Sequence, residues 1–229
     1  MDLFTDTVYW GIFISVGSYI VCDNIQRKKK LFFLNPLLSA TVLTIIFLFV
    51  FNVKYEEYFE KTNLLYYLLS PATVCLAVPL YEQISVLRKN IRAIIGGIVA
   101  GVFAGMTSIL LFSMLFGFSH IIYITLLPKS VTAAIAMGIS EEMGGIPSLT
   151  VPIVIMTGIT GHIISDKICR IFKIDEPVAK GIAIGTASHA MGTTKAMEMG
   201  EIEGAMSSLS IAVAGIITVI AVNIFSFFY

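Results

Sequence analysis

Long runs of apolar residues constrain this chain more than any other feature of its sequence. A bilayer core about 30 Å thick is spanned by about 20 apolar residues in a helix. Only 13% of the residues are charged, against about 25% in a soluble domain, so these runs cannot all be core helices of a soluble protein. The chain is therefore predicted to be an all-α, multi-pass integral membrane protein. The predicted spans are residues 8–22, 36–53, 64–81, 93–116, 146–165 and 205–228.

Two weaker stretches, residues 117–145 and 166–204, lie between these spans and are rich in Gly, Ala, Ser and Thr. If both dip into the membrane and return, the inside loops hold twelve lysines and arginines and the outside loops three. Such a bias is typical of cytoplasmic loops. If both cross fully, the bias nearly disappears. We predict six full spans, two re-entrant or broken segments and both termini outside, with ordinary crossing helices as the alternative.

The two weak stretches share the pattern I-A-x-G, one or two residues, then S-x-x-M-G, at residues 135–144 and 182–192. One span separates the copies, so they would enter from opposite sides, as in an inverted-topology repeat with a midplane substrate site. The alternative is that the two stretches resemble each other by chance, because both are rich in Gly and Ala. One membrane domain, residues 1–229, is predicted. Its parts are the first helices at 1–92, the first repeat at 93–165 and the second repeat at 166–229.

Two further patterns concern helix geometry. Pro71 and Pro79 each remove a helix donor within the third span, which predicts either a broken helix beside a cavity or a helix that simply begins at Pro71. Gly97, Gly101 and Gly105 recur every four residues, a stripe that lets another helix approach closely. We interpret the stripe as a packing surface.

Polar residues at membrane depth are costly and therefore candidates for function. His189, within the second repeat, could bind an anion or relay a proton, or be hydrogen-bonded within the fold. Lys129 could bind a carboxylate or extend to the headgroups. Glu141 and Glu142 could carry a coupling proton or cation, or be solvated. His162 is predicted to be structural.

Enzyme activity is not predicted, because the sequence holds no nucleophile elbow, metal-ligand cluster or phosphate loop. No cofactor or metal is expected. A formal net charge of zero argues against a nucleic-acid partner.

Several segments resemble the LrgB/CidB family, and together they cover nearly the whole chain. The longest, G-I-A-I-G-T-A-S-H-A-M-G-T-T-K-A-M at residues 181–197, is the most specific. The others are N-P-L-L at 35–38, Y-E-E-Y at 55–58, P-A-T-V-C-L-A-V-P-L-Y at 71–81, L-P-K-S-V-T-A at 127–133 and residues 158–162.

The resemblance implies one of two functions and a location in the bacterial inner membrane. Bacterial members were named as holin-like or antiholin-like proteins that modulate murein hydrolase export and autolysis, usually with a separate, smaller partner of the LrgA/CidA type. A plant relative is a plastid glycolate/glycerate transporter, and bacterial relatives have been associated with pyruvate, lactate or glycolate movement.

We therefore predict a carrier of small 2-hydroxy or 2-oxo monocarboxylates with proton or cation coupling, and keep the holin-like role as the alternative. A dimer or higher homo-oligomer in the lipid bilayer is expected. His189, Glu141 and Glu142 are the coupling candidates. The predicted substrate-binding residues are Thr73, Lys129, Ser130, Thr132, Ser188, His189, Thr193 and Thr194.

Overall fold

The computed structural model describes residues 9–29, 36–68, 71, 75 and 77–229. The chain divides into two compact units, residues 1–75 and 76–229. Within the described ranges every regular element is a helix, which confirms the predicted all-α class. The candidate Thr73 lies outside the described residues, as do residues 69, 70, 72, 74 and 76 of the third predicted span.

The first unit contains helices α1 (Trp10–Lys29), α2 (Pro36–Val50) and α3 (Tyr55–Tyr67). α1 and α3 are joined by a 2.7 Å hydrogen bond between the hydroxyls of Ser15 and Tyr58. α2 is almost wholly apolar and leaves large side chains exposed. Continuous exposed apolar surface of this kind suits contact with lipid.

The second unit contains three helices that are long and apolar enough to cross a membrane. They are α5 (Ile84–Phe116), α8 (Pro147–Ile171) and α10 (Glu201–Phe225), and they overlap the fourth, fifth and sixth predicted spans. The elements of this unit are α4 (Ala77–Glu82), α5 (Ile84–Phe116), α6 (His120–Leu126), α7 (Ala133–Glu142), α8 (Pro147–Ile171), α9 (Pro177–Met199), α10 (Glu201–Phe225) and a 3-10 turn (Ser226–Phe228).

Small residues bring α9 close to α5 and α10. A β-carbon at Gly101 of α5 would lie 2.7 Å from Cγ2 of Thr186, and one at Gly185 of α9 would lie 2.5 Å from the Ser207 carbonyl oxygen. Gly97 likewise faces α9, whereas Gly105 meets no described atom within 4 Å. The predicted packing role of the stripe is therefore confirmed for two of its three glycines.

α9 is a hairpin rather than a straight helix. His189 has φ 43° and ψ −139°, which breaks the helix. A β-carbon at Gly192 would lie 3.0 Å from the carbonyl oxygen of Ile184, although eight residues of continuous helix span about 12 Å. Residues 177–188 and 190–199 are therefore two antiparallel arms, and the chain reverses at His189.

The tip of this hairpin lies beside the middle of α8. His189 is 3.0 Å from the Val154 carbonyl, and Ser188 faces Gly161. Because α8 is itself long and apolar enough to cross a membrane, its middle corresponds to membrane depth. The second weak stretch therefore has the broken, returning form that its composition predicts.

The first weak stretch is also broken, at residues 127–132 between α6 and α7. α7 runs antiparallel to α8, since Thr150 donates to Ser140 over 2.8 Å while Val131 and Ala136 pack near Val154. The connection between α6 and α7 therefore also lies beside the middle of α8. The two breaks reach this level from opposite ends of α8, as expected of inverted repeats.

The repeated sequence motif does not mark the same point in both stretches. Its second copy contains the hairpin tip at His189, but its first copy ends α7 and turns the chain into α8 at Met143–Ile146. Gly144, with φ 78°, supplies the backbone conformation of that turn. As a result Lys129 and Ser130, rather than Ser140, lie at the level of Ser188.

Candidate functional site

Two clefts flank the arm formed by residues 177–188. One, of about 530 Å³, lies between this arm and α8. The other, of about 770 Å³, lies between the arm and α5. Both are mainly apolar, and Lys129, Ile174, Ala183 and Ala187 line both of them. Lys129 therefore lies where the two clefts adjoin.

Lys129 is the cationic side chain of this region. It follows Pro128 in the connection before α7, and its Nζ donates a 3.0 Å hydrogen bond to Ser130 Oγ. Among the described residues that line the clefts, Glu176 is the other charged one, and it lines only the larger cleft. Lys129 makes no ion pair within the described part of the chain, so its charge is available to a bound anion.

A third, much smaller cavity of about 20 Å³ adjoins the larger cleft. Ser130 and Thr186 line both spaces, and Thr218 of α10 also lines the small one. Thr186 is 4% exposed, and its Oγ1 has no hydrogen-bond partner among the described residues. Thr186 was not among the predicted site residues, although it lies in the 181–197 segment and faces Gly101 of the glycine stripe.

Ser188 and His189 occupy the hairpin tip in different ways. Ser188 lines the smaller of the two clefts. The ring of His189 points into the protein, where Nε2 donates to the Val154 carbonyl over 3.0 Å; a carbonyl oxygen only accepts, so this nitrogen carries the proton. Gly158 leaves room for the ring, because a β-carbon there would lie 2.7 Å from His189 Cε1. His189 thus holds the hairpin tip against α8 through this hydrogen bond. A role for His189 in proton coupling stays a prediction.

The residues that follow the tip hold the returning arm in place. Thr193 Oγ1 donates to the His189 carbonyl over 3.0 Å and lies 2.7 Å from Ser207 Oγ of α10. Thr194 Oγ1 donates to the Met191 carbonyl over 2.7 Å, and His162 Nδ1 lies 3.2 Å from both of those oxygens. These contacts agree with the structural role predicted for His162. They place Thr193 and Thr194 behind the tip rather than on the described cleft walls.

The remaining predicted residues lie at the two ends of α7. Thr132 precedes the helix, and its carbonyl accepts from the Ala136 amide over 2.9 Å. Glu141 and Glu142 are exposed at the other end, away from the described walls of both clefts. Of the predicted set, the structure therefore brings together Lys129, Ser130 and Ser188 around residues 177–188.

Comparison with protein families identifies the family of this chain. The model of the LrgB-like family matches residues 15–228. The chain belongs to the LrgB-like family. The match confirms the suspected resemblance and, with the apolar helices, a membrane protein. No solved structure matches the chain. In this LrgB-like protein two of the segments that carry the resemblance, 127–133 and 181–197, supply Lys129, Ser130, Thr186 and Ser188 to the clefts.

Proposed function

We propose that this LrgB-like protein is a secondary carrier for small 2-hydroxy or 2-oxo monocarboxylates. The observation that carries the proposal is Lys129, a cation without an ion-pair partner in the described structure, at the junction of two mainly apolar clefts. One lysine matches the single charge of a monocarboxylate. A hydrogen bond between an ammonium and a carboxylate is roughly twice as strong as a neutral one.

Neutral donors around Lys129 support the same ligand. α7 begins at Ala133, just beyond the lysine, and residues 190–199 begin just beyond the hairpin tip. The first amides of a helix lack partners within it and carry partial positive charge. Two such helix starts at the level of the middle of α8 would attract a carboxylate without burying a second full charge, which would be costly in the empty site.

The hairpin arm suggests how access alternates. Residues 177–188 separate the cleft on the α8 side from the cleft on the α5 side, and Lys129 lines both. A shift of this arm towards one neighbour would narrow one cleft and widen the other while the substrate stays beside Lys129. Movement of one repeat against the rest around a fixed site is how carriers with inverted repeats work.

The test is uptake of radiolabelled glycolate, lactate or pyruvate into proteoliposomes. We expect saturable uptake of at least one acid, with discrimination between D- and L-lactate if lactate is carried. Lys129→Met should weaken affinity by about 10- to 100-fold, because a hydrogen bond to a charged group contributes about 1.5–3 kcal/mol. Lys173→Met, which removes an exposed lysine, is the control and should leave uptake unchanged.

Two results would contradict the proposal. Release of solutes irrespective of charge and without saturation would indicate a holin-like pore. Unchanged uptake by a well-folded Lys129→Met protein would show that the acid binds elsewhere. Repeating the assay with and without a pH gradient determines whether protons drive transport, as expected if His189, Glu141 or Glu142 couples it.

A further inference from the structure

We infer that Thr186, together with Ser130, forms the subsite that recognises the oxygen on C2 of the transported acid. The inference rests on the proposed function and adds a selectivity determinant to it. Its starting point is the unpartnered, buried hydroxyl of Thr186 on a wall shared by the small cavity and the larger cleft.

The state of the Thr186 hydroxyl points to a ligand. A buried hydroxyl without a partner destabilises the fold, and threonine in a helix can usually satisfy its hydroxyl on the carbonyl one turn back. The Thr186 hydroxyl bonds neither to that carbonyl nor to any other described residue. Its methyl group packs towards α5, since a β-carbon at Gly101 would lie 2.7 Å from Cγ2 but 3.8 Å from Oγ1.

The small cavity has the size of one oxygen atom with its hydrogens. Its volume is about 20 Å³, and a cavity of about 10–15 Å³ suffices for one water molecule. Ser130, Thr186 and Thr218, which each carry a hydroxyl, are among the residues that line it. A single oxygen therefore fits, with partners to bind it, whereas a longer branch on C2 does not.

Lys129 links this subsite to the carboxylate. Its Nζ lies 3.0 Å from Ser130 Oγ, so the ammonium and the small cavity have a hydroxyl in common. In a 2-hydroxy or 2-oxo acid the carboxylate and the C2 oxygen are on adjacent carbons. The carboxylate can therefore bind Lys129 in the larger cleft while the C2 oxygen enters the small cavity beside it.

Hydrogen-bond roles follow from this arrangement. Ser130 Oγ already accepts from Lys129, which leaves its proton free to donate. The Thr186 hydroxyl can donate or accept. A 2-oxo group, which only accepts, and a 2-hydroxyl, which also donates, can both be satisfied. An acid with only hydrogen on C2 leaves Thr186 unpaired, and sites of this kind discriminate against such analogues.

The experiment compares glycolate with acetate, which differ only in the C2 hydroxyl, as competitors of labelled substrate uptake in proteoliposomes. In the unmodified protein we expect glycolate to compete at least tenfold better than acetate. Thr186→Val, which keeps the size of the side chain, should weaken glycolate about tenfold and leave acetate unchanged. Thr186→Ser restores the hydroxyl and should restore the preference. Thr107→Val on an exposed position of α5 is the matched control.

Ser130→Ala is the second test variant if Thr186→Val does not fold. It should also reduce the preference for glycolate over acetate. If Thr186→Val, or Ser130→Ala in its place, folds and keeps the full preference for glycolate, the subsite is refuted and the carrier function stands. A change in thermal stability with an unchanged preference would mean that the cavity holds only a structural water, which also refutes it. Absence of saturable uptake of any acid by the unmodified protein would instead refute the proposed function.

Discussion

Gly161 of α8 lies so close to Ser188 of α9 that a β-carbon at position 161 would overlap the Ser188 hydroxyl oxygen. Gly158, one turn earlier, makes the corresponding space for the ring of His189. The hairpin tip reaches the middle of α8 because α8 has hydrogen atoms rather than side chains at these two positions.

Gly161→Ala should therefore destabilise the protein, by about 1–3 kcal/mol or more, because overpacking in a tight core forces the backbone to move. The measurement is the thermal transition in detergent. Gly138→Ala is the matched control, since no described atom lies within 4 Å of the added carbon, and it should stabilise α7 by about 0.5–1 kcal/mol. Adding Ser188→Gly to Gly161→Ala should recover part of the loss. Equal transitions for both alanine variants would contradict this packing.

His189→Gly should yield a more stable protein than His189→Ala. The φ of 43° and ψ of −139° are strained for any residue with a β-carbon, at a cost of about 1–3 kcal/mol, and only glycine removes that strain. Both variants lose the hydrogen bond to the Val154 carbonyl, so their difference isolates the backbone term. Thermal transitions of the two proteins give the order. Equal thermal transitions for the alanine and glycine variants would contradict the strained backbone conformation at His189.

Thr193 and Ser207 should be energetically coupled. Their hydroxyls are 2.7 Å apart and buried. Removing Thr193 leaves the Ser207 hydroxyl without a described partner, whereas removing Ser207 leaves Thr193 only its bond to the His189 carbonyl. Thr193→Val and Ser207→Ala should each cost about 1–3 kcal/mol, and the double variant should cost less than their sum. Ser208→Ala is the control partner, because the Ser208 hydroxyl bonds within its own helix and its effect should add to that of Thr193→Val. Additivity in both cycles would exclude the coupling.

The predicted topology places Lys173 on the cytoplasmic side and Lys54 outside. Cysteines at these two positions, in a protein without Cys22, Cys75 and Cys169, should react with an impermeant reagent from opposite sides of the membrane. The readout is labelling of intact cells compared with inverted vesicles. Labelling of position 173 from outside would refute the arrangement with six spans and two returning segments.

The long helices of the second unit could be predicted because their signal is local. Apolar runs place α5, α8 and α10, although α5 begins at Ile84 rather than at residue 93. Three basic residues, Arg88, Lys89 and Arg92, interrupt the apolar run over residues 84–92, yet the helix continues through them because backbone hydrogen bonds hold it together.

The details of the site depend on contacts between distant segments, and these were harder to predict. Composition indicated that residues 166–204 would break and return, but nothing in the local sequence marks His189 as the reversal point, because a histidine is not a turn residue. The reversal is located by Gly158 and Gly161 on another helix. Thr186 was missed for the same reason, since its hydroxyl becomes distinctive only when Gly101 and Ser130 lie beside it.

The hairpin at His189 also constrains the order of membrane insertion. α8 and α10 are long and apolar enough to cross a membrane, whereas α9 between them does not meet the same criterion of length and composition. The two arms of α9 obtain their partners from Gly161, Val154 and Ser207, which lie on those flanking helices. We therefore expect α8 and α10 to enter the bilayer before α9 reaches its final position, so that a helix synthesised after the re-entrant segment is required for that segment to fold.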